Sequence, residues 1–308
     1  MEKIVLYEKE GLYRDDFRVV GYQFGQGEKS VCIVGNTRGN ENQQVFCCSQ
    51  LVKKLKELEQ AGCLMPEKQI MVIPCANPYS LNMKKRFWGI DNTDINRMFP
   101  GYDQGETTQR IAAGLFEAVK GYSFGIQFAS FYMKGSFVPH VRMMQTGYEN
   151  IELASQFGLP YVIVRRPRPF DTTTLNYNWQ IWETNAFSIY TTQTEVIDHT
   201  SADMAVEAIL RFLSKQDIIT YQYLEAQPSH VIDDSNLLTI RARSAGFFDN
   251  HAAVGSHVRQ GDLLARIIDP CEGYVRSEVY APAEGTIIFA HGEPMTYDCT
   301  AIYKMVCR

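Results

Sequence analysis

Histidine is scarce in this chain and comes late. There are six in 308 residues, and none precedes His140. A metal site built on a His-x-x-Glu pair is therefore excluded upstream of that point. Apolar runs are short: none approaches the roughly 18 residues that a membrane helix needs, so no membrane partner is expected. The opening stretch, MEKIVLYEKEG, is charged from the start and lacks the apolar centre of a secretion signal, which makes a cytoplasmic protein the expectation. No Lys/Arg-rich tract occurs, and a net charge of -5 with a pI near 5.7 argues against nucleic acid as a partner. The eight cysteines include no C-x-x-C pair. Cys32, Cys47, Cys48, Cys63 and Cys75 sit in or beside apolar patterns and read as reduced, mostly buried thiols whose spacings suit no zinc ligand pair.

What is present is ordinary globular protein. Hydrophobic residues make up 45% and charged residues 21%, so no long disordered tract is implied, and the length suffices for two domains. Two short strands open the chain, around Ile4–Tyr7 and Phe17–Tyr22. The apolar run Val31–Val34 predicts a buried strand, ending in the turn Gly35-Asn36-Thr37-Arg38-Gly39 with Glu41 at the mouth of a helix. Such strand-to-helix turns are where open α/β sheets place their chemistry. From Asn42 to Ala61 the period becomes helical, with Val45, Cys48, Val52 and Leu55 on one stripe and Gly62 as the stop. Strands follow at Ile70–Pro74, Phe124–Phe128, Leu159–Val164 and Ala186–Thr191. Helices are expected after Thr107 or Thr108, with Ile111, Leu115 and Val119 inward, and after Thr200 or Ser201, with Met204, Ala208, Ile209 and Phe212 inward. Alternation at this spacing implies an α/β sheet covered on both faces.

The texture changes near residue 225. From Leu237 onward there are short strands and glycine turns without a helical period. GSHVRQGDLLARIID and VYAPAEGTIIFAHG resemble the barrel-sandwich pattern of lipoyl and biotinyl domains. Carriers of that kind need a lysine at a hairpin tip, and the only lysine after residue 215 is Lys304, near the C-terminus, so a swinging-arm role is not expected. The division read from this change is 1–225 for an α/β domain and 226–308 for a small all-β domain.

Three motifs carry a family resemblance. Gly35–Glu41 is similar to the GGTHGNE-type turn of the aspartoacylase/succinylglutamate desuccinylase family, relatives of the zinc carboxypeptidases. Arg86, followed by Asp94-Ile95-Asn96-Arg97-Met98-Phe99-Pro100-Gly101, resembles that family's R…D-L-N-R-x-F-P-G. Gly125-Ile126-Gln127 stands at the position of its D-L-H. A weaker fourth match puts Tyr190 where the family's catalytic Glu ends an apolar strand. The resemblance implies a zinc-carboxypeptidase-like mixed sheet flanked by helices, plus a C-terminal β domain. In such a site two His and a Glu hold zinc and leave a position for water, and the strand-end Glu moves the proton. An Arg supports the oxyanion, and an Asn-Arg pair grips the carboxylate of an acyl-amino acid.

This sequence resembles the anion-binding half of that site and departs from the metal half. Arg86, Asn96 and Arg97 match. The histidine positions are Arg38 and Gln127, and the general-base position is Tyr190. Arginine is a permanent cation and no metal ligand. The expectation is therefore a catalytically inactive relative without metal or cofactor, with Arg38 paired to Glu41. It would bind a small carboxylate through Arg86, Asn96, Arg97 and Glu41, or serve as the non-catalytic subunit of an active paralogue or a homo-oligomer. Two other readings stay open. One is an active metal-dependent deacylase with a displaced zinc site involving His140, Glu41 and a later acid. The other is metal-free chemistry at Tyr190, Arg38 or a cysteine. Plainer readings stand beside these: Arg97 bracing its loop against Asp91 or Asp94, Tyr190 as a core aromatic, His140 as a satisfied strand or loop histidine, and Arg165–Arg168 as a solvated loop rather than a border of the pocket or of a partner surface.

Overall fold

The computed structural model describes every residue except Leu12, Arg14 and Arg308. The chain forms two compact units: Met1–Ser130 with Pro139–Val231, and Phe131–Val138 with Ile232–Arg308. A short segment from the middle of the chain thus joins the C-terminal strands.

The strands of the first unit are β1 (Glu2–Lys9), β2 (Phe17–Phe24), β3 (Glu28–Asn36), β4 (Lys68–Cys75) and β5 (Phe124–Phe128). After β6 (Gly135–Phe137), which belongs to the second unit, come β7 (His140–Met144), β8 (Tyr161–Arg165), β9 (Asn185–Tyr190) and the start of β10 (His230–Asp233), whose last two residues belong to the second unit. Its helices are α1 (Asn42–Gln60), α2 (Pro78–Asn82), α3 (Thr107–Val119), α4 (Ile151–Ser155), α5 (Leu175–Ile181) and α6 (His199–Lys215). The sheet order is β1-β2-β4-β3-β5-β9-β7-β8-β10. β4, β3, β5 and β9 run parallel, while β2 is antiparallel to β4 and β7 to β9, so the sheet is mixed.

Side chains alternate across a strand, and here both faces are covered. Val31 and Ile33 enter a core with Leu51 and Leu55 of α1 and Ile209 and Phe212 of α6. Cys32 and Val34 enter the opposite core with Ile111 and Leu115 of α3 and Trp179 of α5. That is why the run from Val31 to Val34 is continuously apolar. From β3 the chain crosses through α1 to β4 on one side; the later crossover through α3 brings it to β5 on the other. The carboxyl end of β3 therefore lies where the strand order reverses, the place at which an open α/β sheet leaves a crevice.

Several local expectations are corrected. The cap of α3 is Glu106, in a reciprocal box with Gln109, and not Thr107 or Thr108. Asp198, not Thr200 or Ser201, caps α6 by accepting from the Ser201 N–H at 3.2 Å. In both cases an acidic side chain just upstream reaches the free N–H groups of the first turn. Met204 is 41% exposed, because Ala202, Ala205, Ile209 and Phe212 form the inward stripe and Met204 falls off it. Gly62 ends α1 with φ +71°, the left-handed conformation glycine adopts without strain.

The second unit comprises β6 and the strands β11 (Leu237–Arg241), β12 (Gly246–Asn250), β13 (His257–Val258), β14 (Leu263–Ile268), β15 (Val275–Tyr280), β16 (Gly285–His291), β17 (Met295–Thr296) and β18 (Ala301–Cys307). They form two antiparallel sheets, β11-β18-β16-β13 with β6 added against β16, and β15-β14-β12-β17. Leu264, Ile267, Ile287, Ile302 and Met305 fill the core. Gly261, in the V-R-Q-G-D turn, has φ +89°. The all-β reading of this region holds, with β6 as an addition that no local pattern announces.

A buried guanidinium at the carboxyl end of β3

The turn after β3 is held by its backbone. A Cβ on Gly35 would lie 2.3 Å from the Pro74 carbonyl oxygen, and one on Gly39 would lie 2.2 Å from that of Lys85. Glycine at both positions allows the turn to press against its neighbours. The Gly39 N–H donates to the Arg86 carbonyl at 3.1 Å. The Asn36 amide donates to the Arg38 carbonyl, and the Asn77 amide to that of Thr37 at 3.3 Å. So pinned, the turn sends the Arg38 side chain into the protein, where 5% of the residue stays exposed.

Glu41 is completely buried. Its Oε2 accepts from the backbone N–H groups of Thr37 at 2.9 Å and Arg38 at 3.0 Å. Its Oε1 accepts from the Ser130 hydroxyl and from Arg38 Nη1 at 3.3 Å. The other edge of the guanidinium faces Asp94, with Nε 3.0 Å and Nη2 2.9 Å from Oδ2. Arg38 Nη1 also lies 3.4 Å from Ser130 Oγ. Burial alone would lower the guanidinium's pKa; Asp94 and then Glu41 more than offset it, and the net direction is upward. Arg38 is a locked cation between two carboxylates.

Asp94 links this cluster to the next motif. Its Oδ1 accepts from the Asn96 N–H at 3.0 Å and so caps the short turn Ile95–Arg97. Asn96 is buried, and its Oδ1 accepts from Gln127 Nε2 at 3.0 Å. Gln127 stands opposite Val34 in the β3–β5 register, so it faces the α3 side of the sheet. Arg86 is half-buried. Burial, and then the Arg38 charge, push its pKa down, against the pull of Glu41, Asp94 and Glu195. The structure thus brings Arg38, Glu41, Asp94 and Arg86 into one electrostatic group, with Asn96 and Gln127 joined to it through Asp94.

Arg97 points elsewhere. Its guanidinium donates to the Phe170 carbonyl, lies 3.3 Å from Asp171 Oδ1, and sits 5.2 Å from the centre of the Phe170 ring. It does brace a loop, but through Asp171 rather than Asp91 or Asp94. Asp171 also takes Arg165 Nη2 at 3.1 Å and the Arg168 N–H at 3.0 Å, so Arg165 is a buried partner and not part of a solvated loop. Tyr190 is buried and stacks on His140 across the β7–β9 pair, with centroids 4.6 Å apart and planes 7° from parallel. Arg142 lies 4.6 Å from the same ring.

Two members of this cluster have no link to it in the sequence. Asp94 belongs to the D-I-N-R stretch but shows no sign of its pairing with Arg38, and Ser130, two residues past β5, carries no signal. Among the described residues no three His, Cys, Asp or Glu side chains come together as a metal-holding group. Catalytic zinc takes three such donors and an open position. Here Glu41 and Asp94 are engaged by a guanidinium and no histidine joins them, so the donor set does not fit zinc.

No described helix is long and apolar enough to cross a membrane. No curated protein matches the chain. Solved structures do. A succinylglutamate desuccinylase from Silicibacter sp. TM1040 superposes with a TM-score of 0.81 at 18% identity, covering 99% of this chain and 93% of that one. The product-bound ectoine utilization protein EutE of Ruegeria pomeroyi gives 0.79 at 17% identity, covering 95% and 90%. A succinylglutamate desuccinylase/aspartoacylase family protein from Shewanella amazonensis, described as putative, gives 0.78 at 18%, covering 99% and 98%. At such identities the likeness establishes the fold: a carboxypeptidase-like mixed α/β sheet with a C-terminal β domain. The profile of the succinylglutamate desuccinylase/aspartoacylase catalytic domain matches residues 27–216. With more than half its length inside that profile, the chain belongs to the succinylglutamate desuccinylase/aspartoacylase family.

Proposed function

We propose that this chain is a non-catalytic member of its family that binds a small carboxylate ligand of the acyl-amino-acid kind. The observation that carries the reading is the Arg38 guanidinium, buried within 2.9 Å of Asp94 and 3.3 Å of Glu41. A protein-borne cation there leaves no place for a metal-bound water, and the family resemblance aligns Tyr190 with the proton-moving carboxylate. Hydrolysis of an amide needs both an activated water and a group to return the proton.

Anion recognition remains. Arg86 contributes a guanidinium beside the cluster, Asn96 is held by Gln127 with its amide nitrogen still to offer, and Arg97, turned to Phe170 and Asp171, reaches a ligand only from the rim. Charge-assisted hydrogen bonds from such groups recognise a carboxylate. Glu41 acts in this reading by holding Arg38, since it is fully enclosed. A cytoplasmic setting, and a second copy or an active paralogue as protein partner, belong to the same proposal.

The test is a thermal-shift screen of N-acyl amino acids and dicarboxylates on the native protein, with a hydrolysis assay on the same compounds. A compound that stabilises the native protein, loses that effect in R97A and is recovered unhydrolysed supports the reading. Sustained turnover by the native protein overturns it.

A further inference from the structure

We infer that Arg38 is a cation built into the chain in place of a bound ion, and that cutting back its side chain leaves a seat shaped for a free guanidinium. The acceptors are arranged edge by edge. The Nε/Nη2 edge meets the Asp94 carboxylate at 3.0 and 2.9 Å, and Nη1 meets Glu41 Oε1 at 3.3 Å and Ser130 Oγ at 3.4 Å. A planar fork is what bidentate recognition of a carboxylate requires, so shape as well as charge is matched.

Charge explains why the seat needs an occupant. Glu41 is wholly buried, and its other donors, the Thr37 and Arg38 N–H groups and the Ser130 hydroxyl, are neutral. Neutral donors satisfy its lone pairs and leave the charge uncompensated. Asp94 brings a second carboxylate to the same guanidinium. Arg38 and Arg86 face Glu41 and Asp94, with Glu195 also pulling on Arg86, so a divalent ion entering this group would meet two guanidinium charges already in place. The native seat is therefore both filled and closed to metals. This goes beyond the proposed function: that reading concerns the absence of turnover and the presence of a ligand, whereas this one concerns what holds the site together.

The experiment compares melting temperatures of the native protein, R38A and R97A with and without millimolar guanidinium chloride. R38A is expected to melt on the order of 10 °C below the native protein and to regain at least half of that loss in guanidinium, while the native protein and R97A gain nothing. EDTA is expected to leave the native melting temperature unchanged. An R38A that melts like the native protein overturns the inference, as does one that guanidinium protects no more than it protects R97A. If R38A does not fold on its own, its refolding in guanidinium decides: recovery of folded protein supports the inference, and no recovery overturns it. Turnover by the native protein would overturn the proposed function, and failure of the guanidinium rescue would overturn this one alone.

Discussion

Arg38 and Arg97 sit in the same unit, and each answers a carboxylate, yet their surroundings differ. Arg38 has a side-chain exposure of 7% and is enclosed between two acids. Arg97 is 31% exposed, rests on the ring of Phe170 and shares Asp171 with Arg165. Asp171 is only 4% exposed, so its two guanidiniums meet it from opposite conditions, Arg165 from the interior and Arg97 from the rim. A guanidinium with no outward face is a structural cation. One with a free edge at the rim still has something to offer a ligand. Matching a motif residue by residue does not separate these two cases; burial does.

Breaking the enclosed site gives the largest effect. Arg38→Ala leaves two acids without their shared partner, and about 3–5 kcal/mol of stability is expected to go, read from urea unfolding. Ser130→Ala removes the hydroxyl that donates to Glu41 Oε1 and is expected to cost about 1–3 kcal/mol by the same measurement. Arg97→Ala sharpens the contrast: stability is expected to fall by less than about 1 kcal/mol, since the pair is partly solvated. Affinity for any carboxylate ligand found in the screen is expected to drop about tenfold or more by calorimetry, as a lost charge-assisted hydrogen bond implies.

The smallest effect is on pH dependence. The alkaline limb of stability belongs to buried thiols and phenols that burial pushes upward, Cys75 and Tyr122 among them. Burial pushes the Cys47 thiol up to about 12, and Cys32 and Cys48 move in the same direction. In the unfolded chain these thiols lose their protons near pH 9, whereas in the native protein Cys47 keeps its proton until about 12. The unfolded state then binds fewer protons, so stability falls as pH rises across that window. The urea midpoint is expected to decline from pH 9 upward, and Cys47→Ala is expected to flatten part of that decline.

Much of this was legible in the sequence, for local reasons. Val31–Val34 announced a strand covered on both faces, Gly62 marked the end of α1, and Phe124–Phe128 coincides with β5. The Arg38–Glu41 pair was visible because the family-like turn keeps its Glu41 while an arginine stands at its histidine position. What stayed hidden depends on distant pairing. Asp94 is 56 residues from Arg38, and Ser130 is 89 from Glu41; neither link has a periodic trace. Asp171 lies 74 residues from Arg97, so nearer acids were the natural guess. β6 is three residues long, and its place beside β16 follows from a sheet formed by strands far along the chain. Met204 was misplaced because an apolar residue next to a stripe looks like part of it until the register of Ala205 and Ile209 is known.

A side-chain cation in the place of a metal leaves the native protein without zinc. The decisive measurement is zinc in the purified native protein, by mass spectrometry after growth and purification with added zinc, together with a calorimetric zinc titration. Less than about a tenth of an equivalent and no saturable heat are expected, because a seat filled by a guanidinium offers no ligand set. One tightly held equivalent that survives dialysis would contradict this.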